Sequence, residues 1–170
     1  EYIARYDHIF AFLAEKGYVC CGYDNLGHGE TAKNKNELGF IAHRNGWKYL
    51  VNDVKAFEDA VKKMFPDKPL YLMGHSMGSF ISRIAAENYG DGIEKFIICG
   101  TGGPNAAAPF GLMLTDIMQL FFGEKHRSRL INNIAFGAYN KRFEGESEYD
   151  WVTSDREVTA KYAADEYCTF

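Results

Sequence analysis

The sequence predicts an α/β fold: parallel sheet strands flanked by helices, with a helical insertion after the last strand. Three observations predict it. Short apolar runs alternate with segments whose apolar residues recur every three or four positions. A glycine-flanked serine, Gly74-His-Ser-Met-Gly78, stands where one such run passes into a helical segment. After Gly100 the alternation ends and only helical spacing remains.

The elements follow in order. Ile3, Tyr6, Phe10 and Leu13 mark one helical face, and Gly17 is placed to end it. Tyr18-Val-Cys-Cys-Gly-Tyr23 is aromatic-rich and partly β-branched, which predicts a strand ending at Asp24. Gly27-His-Gly29 then makes a tight loop. A second helix carries Trp47, Leu50, Val54, Phe57, Val61 and Met64 on its buried face and stops before Pro66. Leu70–Met73 is the next strand and runs into the serine. Phe80, Ile81, Ile84 and Ala85 mark a helix that stops at Gly90, and Ile93–Cys99 is a third strand. Beyond a Gly/Pro loop, Phe110 to Phe122 is dense in large apolar residues yet too short to span a membrane. Leu130, Ile131, Ile134 and Phe136 continue at helical spacing. Ser154 with Glu157 has the spacing of a capping box that opens a last helix. No strand is expected between Gly100 and Phe170.

Composition narrows the function. The 170 residues are one domain's worth, and 19 Lys+Arg against 23 Asp+Glu leave a net charge of −4. No basic field exists to hold nucleic acid. Cys20, Cys21, Cys99 and Cys168 form no CxxC pair and no metal-ligand spacing with histidine, so neither metal nor cofactor is expected. Cys20 and Cys21, adjacent on the expected strand, should point to opposite faces as small apolar residues. Unpaired thiols of this kind fit a reducing, cytoplasmic setting. No secretory signal is present in these residues, and the chain begins at Glu1 rather than Met.

Gly-x-Ser-x-Gly between a strand and a helix is the pattern of a nucleophile elbow. The sharp turn strains the serine, and side chains at Gly74 and Gly78 are expected to collide with neighbouring backbone. Ser76 would stand exposed at a helix N-terminus, where free N–H groups favour developing negative charge, with Met77 N–H as one oxyanion donor. A serine also needs a base and an acid to orient it. His126 is the one histidine after Ser76, with Asp91 and Asp116 between them. That order fits on paper, but Glu124-Lys-His-Arg127 reads as a solvated loop. His75 is expected to sit in the site wall with its side chain turned away from the serine. His28 reads as a loop-fixing residue, His8 and His43 as surface residues, and Asp24 as structural.

These residues resemble the monoacylglycerol lipase and lysophospholipase branch of the α/β-hydrolases, grouped with the serine aminopeptidase-like hydrolases. The resemblance is carried by Glu1-Tyr-Ile-Ala-Arg-Tyr6, Asp24-Asn-Leu-Gly-His-Gly-Glu-Thr31, Gly74–Gly78 and Ala135-Phe-Gly-Ala-Tyr-Asn140. It implies a partial α/β-hydrolase fold, with residues 1–100 as the central part of the core and 101–170 as a helical cap. It implies that Ser76 is the acylated nucleophile and that Met77 supplies an oxyanion N–H. Glu1 and Arg5 would line the polar head-group end of the pocket, with Tyr2 departing from the family's usual histidine. His75, Met113 and Ile117 stand as further substrate-binding candidates, the last two in an apolar cap that would receive an acyl chain. The resemblance puts the acid and the histidine beyond Phe170, and one central strand before Glu1. On that expectation the chain is the middle of a longer protein and is inactive by itself.

The expected activity is hydrolysis of carboxylic esters of acylglycerols or lysophospholipids. The expected substrate is a small-molecule acyl ester. Transient contact of the cap with a membrane or micelle suits its apolar stripe. Two other readings stay open on the sequence: a peptidase or amidase on the same fold, and a non-catalytic binding protein that keeps the fold.

Overall fold

The computed structural model describes residues 1–143 and 147–169. They fall into two units. One comprises Leu13–Cys21 and Ile41–Asn105, the other Glu1–Phe12, Gly22–Phe40 and Ala106–Phe170.

In the first unit, helix α2 (Gly46–Met64) precedes strand β1 (Tyr71–His75), helix α3 (Met77–Tyr89) and strand β2 (Lys95–Cys99). The two strands pair in parallel, from Tyr71 opposite Lys95 to His75 opposite Cys99. A parallel pair needs a crossover, and α3 supplies it by packing on both strands. Helix α2 packs on α3, and Leu50, Val51, Val54 and Val61 of α2 are buried together with Ile81 and Ala85 of α3 and Ile93 before β2. Trp47 and Met64, expected on the buried face, are instead more than half exposed. Both stand near the ends of α2, which runs from Gly46 to Met64. The buried stripe also takes in Glu58, whose carboxylate pairs with Lys62 at 2.9 Å. Gly92 leaves room for that pair, because a Cβ there would strike both side chains.

The segment Tyr18–Tyr23 is not a strand. Among the described residues the only ladder joins β1 to β2. Strand propensity describes a surface that fits a pleat, and it yields a strand only when a neighbour supplies the hydrogen bonds. The fold class stands despite this: helices flank a small parallel sheet.

Helix α1 (Asp7–Glu15) follows a 3-10 turn at Ile3–Tyr6 and ends as expected. Gly17 takes φ +85°, its N–H donates to Ala14 O at 2.9 Å, and Tyr18 N–H donates to Leu13 O at 3.1 Å. These are the two bonds of a Schellman stop.

In the second unit, α4 (Ala108–Phe122), α5 (Arg129–Phe136) and α6 (Arg156–Ala164) are the α-helices among the described residues after 105, and no described residue there is in a strand. Helix α4 opens with Pro109 in its first turn and closes at Gly123, φ +86°. Its apolar residues are not core: Leu112, Leu120 and Phe121 are 67%, 81% and 75% exposed. Helix α5 is capped by Ser128, whose hydroxyl accepts from Ile131 N–H at 3.3 Å. The cap of α6 is Asp155, not Ser154. Its Oδ1 accepts from Glu157 N–H at 2.9 Å and Val158 N–H at 3.2 Å. The chain stays extended through Asp155 and turns helical one residue later than expected, which puts the aspartate at the N-terminal donors.

Candidate active site

Strand β1 delivers His75 and Ser76 to the N-terminus of α3. Ser76 sits at φ +52°, ψ −120°, a region costly for a side-chain-bearing residue. Both of its backbone polar groups are pinned. Its N–H donates to Cys99 O at the end of β2 (3.0 Å). Its carbonyl accepts from Ser79 N–H at 2.9 Å and from the Ser79 hydroxyl at 2.6 Å.

Gly74 is required sterically, as expected. A Cβ there would run into the Gly78 carbonyl and the Ser82 hydroxyl. Gly78 is a correction. Apart from its chain neighbours and the backbone of its own helix, no atom of the described residues lies within 4 Å of where its Cβ would stand. On the far side, Gly100 takes φ +60°, and a Cβ there would lie 3.3 Å from His75 Nε2. Arg83 ties the loop after β2 to α3 by donating to Gly102 O at 3.1 Å.

The exposed Ser76 side chain therefore stands at the start of α3. Met77 is the first residue of that helix, so its N–H has no acceptor within the helix. A hydroxyl beside helix N–H donors is an arrangement suited to nucleophilic attack with oxyanion stabilisation. His75 is exposed at the end of β1, its ring against Gly100.

The remaining candidates belong to the second unit. Arg5 lies 3.8 Å (Nε) from Glu1 Oε2, donates through Nη1 to Cys168 Sγ at 3.2 Å, and stacks 4.7 Å from the Tyr162 ring. Burial pushes the Tyr162 hydroxyl up to about 12, helped by the negative charge of Glu1. Burial also raises the Cys168 thiol, and Arg5 offsets only part of that. Tyr2 donates to Asp165 Oδ2 at 2.8 Å, which drives its own ionisation up to about 12, with burial adding to the shift. Met113 and Ile117 lie one turn apart on α4, 51% and 44% exposed. His126 stacks on Phe122, ring centroids 4.7 Å apart, in the loop after α4.

Two expected supporting roles are visible. Asp24 accepts from Ile3 N–H at 2.6 Å and from Glu30 N–H at 2.9 Å, so it clamps the N-terminal turn to the Gly-His-Gly loop. His28 Nδ1 lies 3.0 Å from Leu26 O, and burial lowers its affinity for a second proton. Sequence reasoning missed Tyr162, Asp165 and Cys168, which meet Tyr2 and Arg5 from about 160 positions away with no local signal. It also missed Ser79, although a serine three residues into a helix from a strained carbonyl is a readable bonding distance.

Comparison with known proteins shows the family and the fold. The family model Hydrolase_4, described as serine aminopeptidase, S33, matches residues 1–170. A monoglyceride lipase of Mus musculus is 30% identical over 91% of this chain and 48% of its own length. A monoglyceride lipase of Homo sapiens is 25% identical over 71% of this chain and 39% of its own. The chain thus spans about half or less of the curated relatives it matches. The crystal structure of a thermostable carboxyl esterase from Bacillus coagulans in complex with glycerol superposes with a TM-score of 0.77 at 26% identity, covering 98% of this chain and 54% of that one.

Proposed function

The chain belongs to the serine aminopeptidase family of α/β-hydrolases, in its monoglyceride lipase-like branch, and on that premise we propose that it carries the nucleophile of a carboxylic ester hydrolase. Ser76 Oγ attacks the ester carbonyl carbon while a histidine base takes its proton. The oxyanion is held by Met77 N–H and a second donor. The tetrahedral intermediate collapses, the C–O bond breaks, and the alcohol leaves with the proton from the histidine. Water then attacks the acyl-enzyme by the same steps and releases the acid. The proposal assigns the base, its orienting acid and the second donor to sequence outside these residues, and reads the isolated chain as inactive.

The substrates proposed are acylglycerols or lysophospholipids. Residues 101–170 act as the cap, with Met113 and Ile117 against the acyl chain and transient contact with a lipid surface. Glu1 and Arg5 meet the polar head group, and His75 lines the wall beside Ser76. Support comes from the names of the relatives and from the exposed apolar residues of α4.

The observation that carries the reading is Ser76 itself, held at φ +52° between a parallel strand and a helix N-terminus. The test uses the full-length protein with p-nitrophenyl esters of increasing chain length and a fluorophosphonate label read by intact mass. Ser76→Ala should abolish the label and lower turnover by about 10⁴-fold or more. A Ser76→Ala variant that keeps its ester turnover would sink the reading. The family's description favours one alternative, a peptidase. Faster hydrolysis of aminoacyl anilides than of long-chain esters would select it.

A further inference from the structure

The Ser79 hydroxyl is wholly buried and spends its proton on the Ser76 carbonyl at 2.6 Å. A serine inside a helix often bonds back to a carbonyl one turn earlier, with little consequence. Here the accepting carbonyl belongs to a residue in strained backbone. Such a conformation persists only where its surroundings over-determine it. The peptide group that begins with Ser76 C=O ends with Met77 N–H, and it is one rigid trans plane. Whatever fixes the carbonyl therefore fixes the N–H at the opposite end.

We propose that Ser79 is a positioning residue for the oxyanion donor: its buried hydroxyl, bonded to Ser76 O, sets the peptide plane that aims Met77 N–H. The inference rests on the reading of Ser76 as nucleophile and Met77 N–H as donor. Without the hydroxyl, Ser79 N–H still holds the carbonyl at 2.9 Å. The plane is then fixed by one bond instead of two and can rock about the Ser76 ψ and Met77 φ axes. The oxyanion exists only in the tetrahedral state, so the loss falls on the chemical step and not on substrate binding.

The experiment compares Ser79→Ala, Ser79→Thr and Ser79→Val in the full-length protein, with Ser76→Ala as reference. It reads kcat, KM, the rate of fluorophosphonate labelling and the thermal midpoint. Removing an oxyanion donor outright costs about 10²–10³ in kcat, and a misaimed donor should lose about tenfold. Ser79→Ala should therefore lower kcat and the labelling rate about tenfold with KM within about twofold. Threonine and valine share a shape and crowd the site equally, so the hydroxyl should leave Ser79→Thr the faster of the two. If both are too crowded to fold, Ser79→Ala decides alone. A Ser79→Ala enzyme with wild-type kcat and labelling rate but a lowered midpoint overturns the proposal and leaves Ser79 a packing residue. Equal rates for Ser79→Thr and Ser79→Val overturn it as well. Should Ser76→Ala retain activity, the nucleophile reading has failed and this inference falls with it. A dead Ser76→Ala beside an unimpaired Ser79→Ala isolates the failure to Ser79.

Discussion

The two glycines that flank Ser76 look equivalent in sequence, but the structure separates them sharply. A methyl group on Gly74 would stand 2.7 Å from the Gly78 carbonyl carbon, closer still to its oxygen, and against Ser82 Oγ. Ordinary carbon contacts lie at roughly 3.5–4.0 Å. Ser82 can rotate, but the Gly78 carbonyl belongs to the first turn of α3 and cannot. Strand and helix must therefore part by the order of an ångström. Overpacking of this kind costs about 1–3 kcal/mol. The bonds that Ser76 makes to Cys99 and Ser79 cross the same junction, and losing one adds about 1 kcal/mol. The stiffer unfolded chain returns about 0.4–1 kcal/mol. Gly74→Ala should thus destabilise the protein by about 2–3 kcal/mol. Gly78 is helical, with open space among the described residues where its Cβ would stand, and Gly78→Ala should stabilise by about 0.5–1 kcal/mol through helix propensity. The two variants should differ by about 3 kcal/mol, read as a thermal-midpoint gap on the order of 10 °C. Urea unfolding of both beside wild type tests this. Equal destabilisation by the two substitutions would refute the steric account of the elbow.

Three further outcomes are expected. Asp155→Ala should lose about 1 kcal/mol as the cap of α6 disappears, whereas Ser154→Ala should stay within about 0.5 kcal/mol of wild type; denaturant midpoints distinguish them. Asp24→Asn keeps one acceptor oxygen for two N–H donors and should cost about 1–3 kcal/mol, with local exchange protection lost at Ile3 or Glu30. Tyr2 ionises near 12 rather than at the ordinary 10.0, so the folded state favours its neutral form. Its stabilising contribution is complete below pH 10 and is lost as pH rises through 12. The stability gap between wild type and Tyr2→Phe should therefore be flat up to pH 10 and narrow above it; a gap that widens with alkali would contradict the Tyr2–Asp165 bond.

Much of this architecture could be read along the chain. The helix stop at Gly17, the parallel strands on either side of α3 and the elbow at Ser76 all depend on periodicity and backbone preference within a few residues. Asp24 also took the structural role, and His28 the loop-fixing role, that their positions suggested. The failures share a different origin. Tyr18–Tyr23 has strand composition without a pairing neighbour among the described residues, and Trp47 and Met64 keep helical phase at the two ends of α2 yet stay exposed. The Ser154 and Asp155 caps differ by one residue, a choice made by where the chain leaves extended backbone.

The sequence by itself determined that a serine would be presented on a sharp turn between a strand and a helix, because glycine spacing and local period suffice for that. It also determined that the residues after Gly100 would be helical, apolar and free of strands among those described. Only tertiary structure decided that a Cβ at Gly74 collides and that one at Gly78 meets open space among the described residues. Only it decided that Ser79 would bond the strained carbonyl, and that Arg5 would be held between Glu1, Tyr162 and Cys168. Those outcomes depend on which distant segments come within a few ångströms of each other, and no local preference encodes that distance.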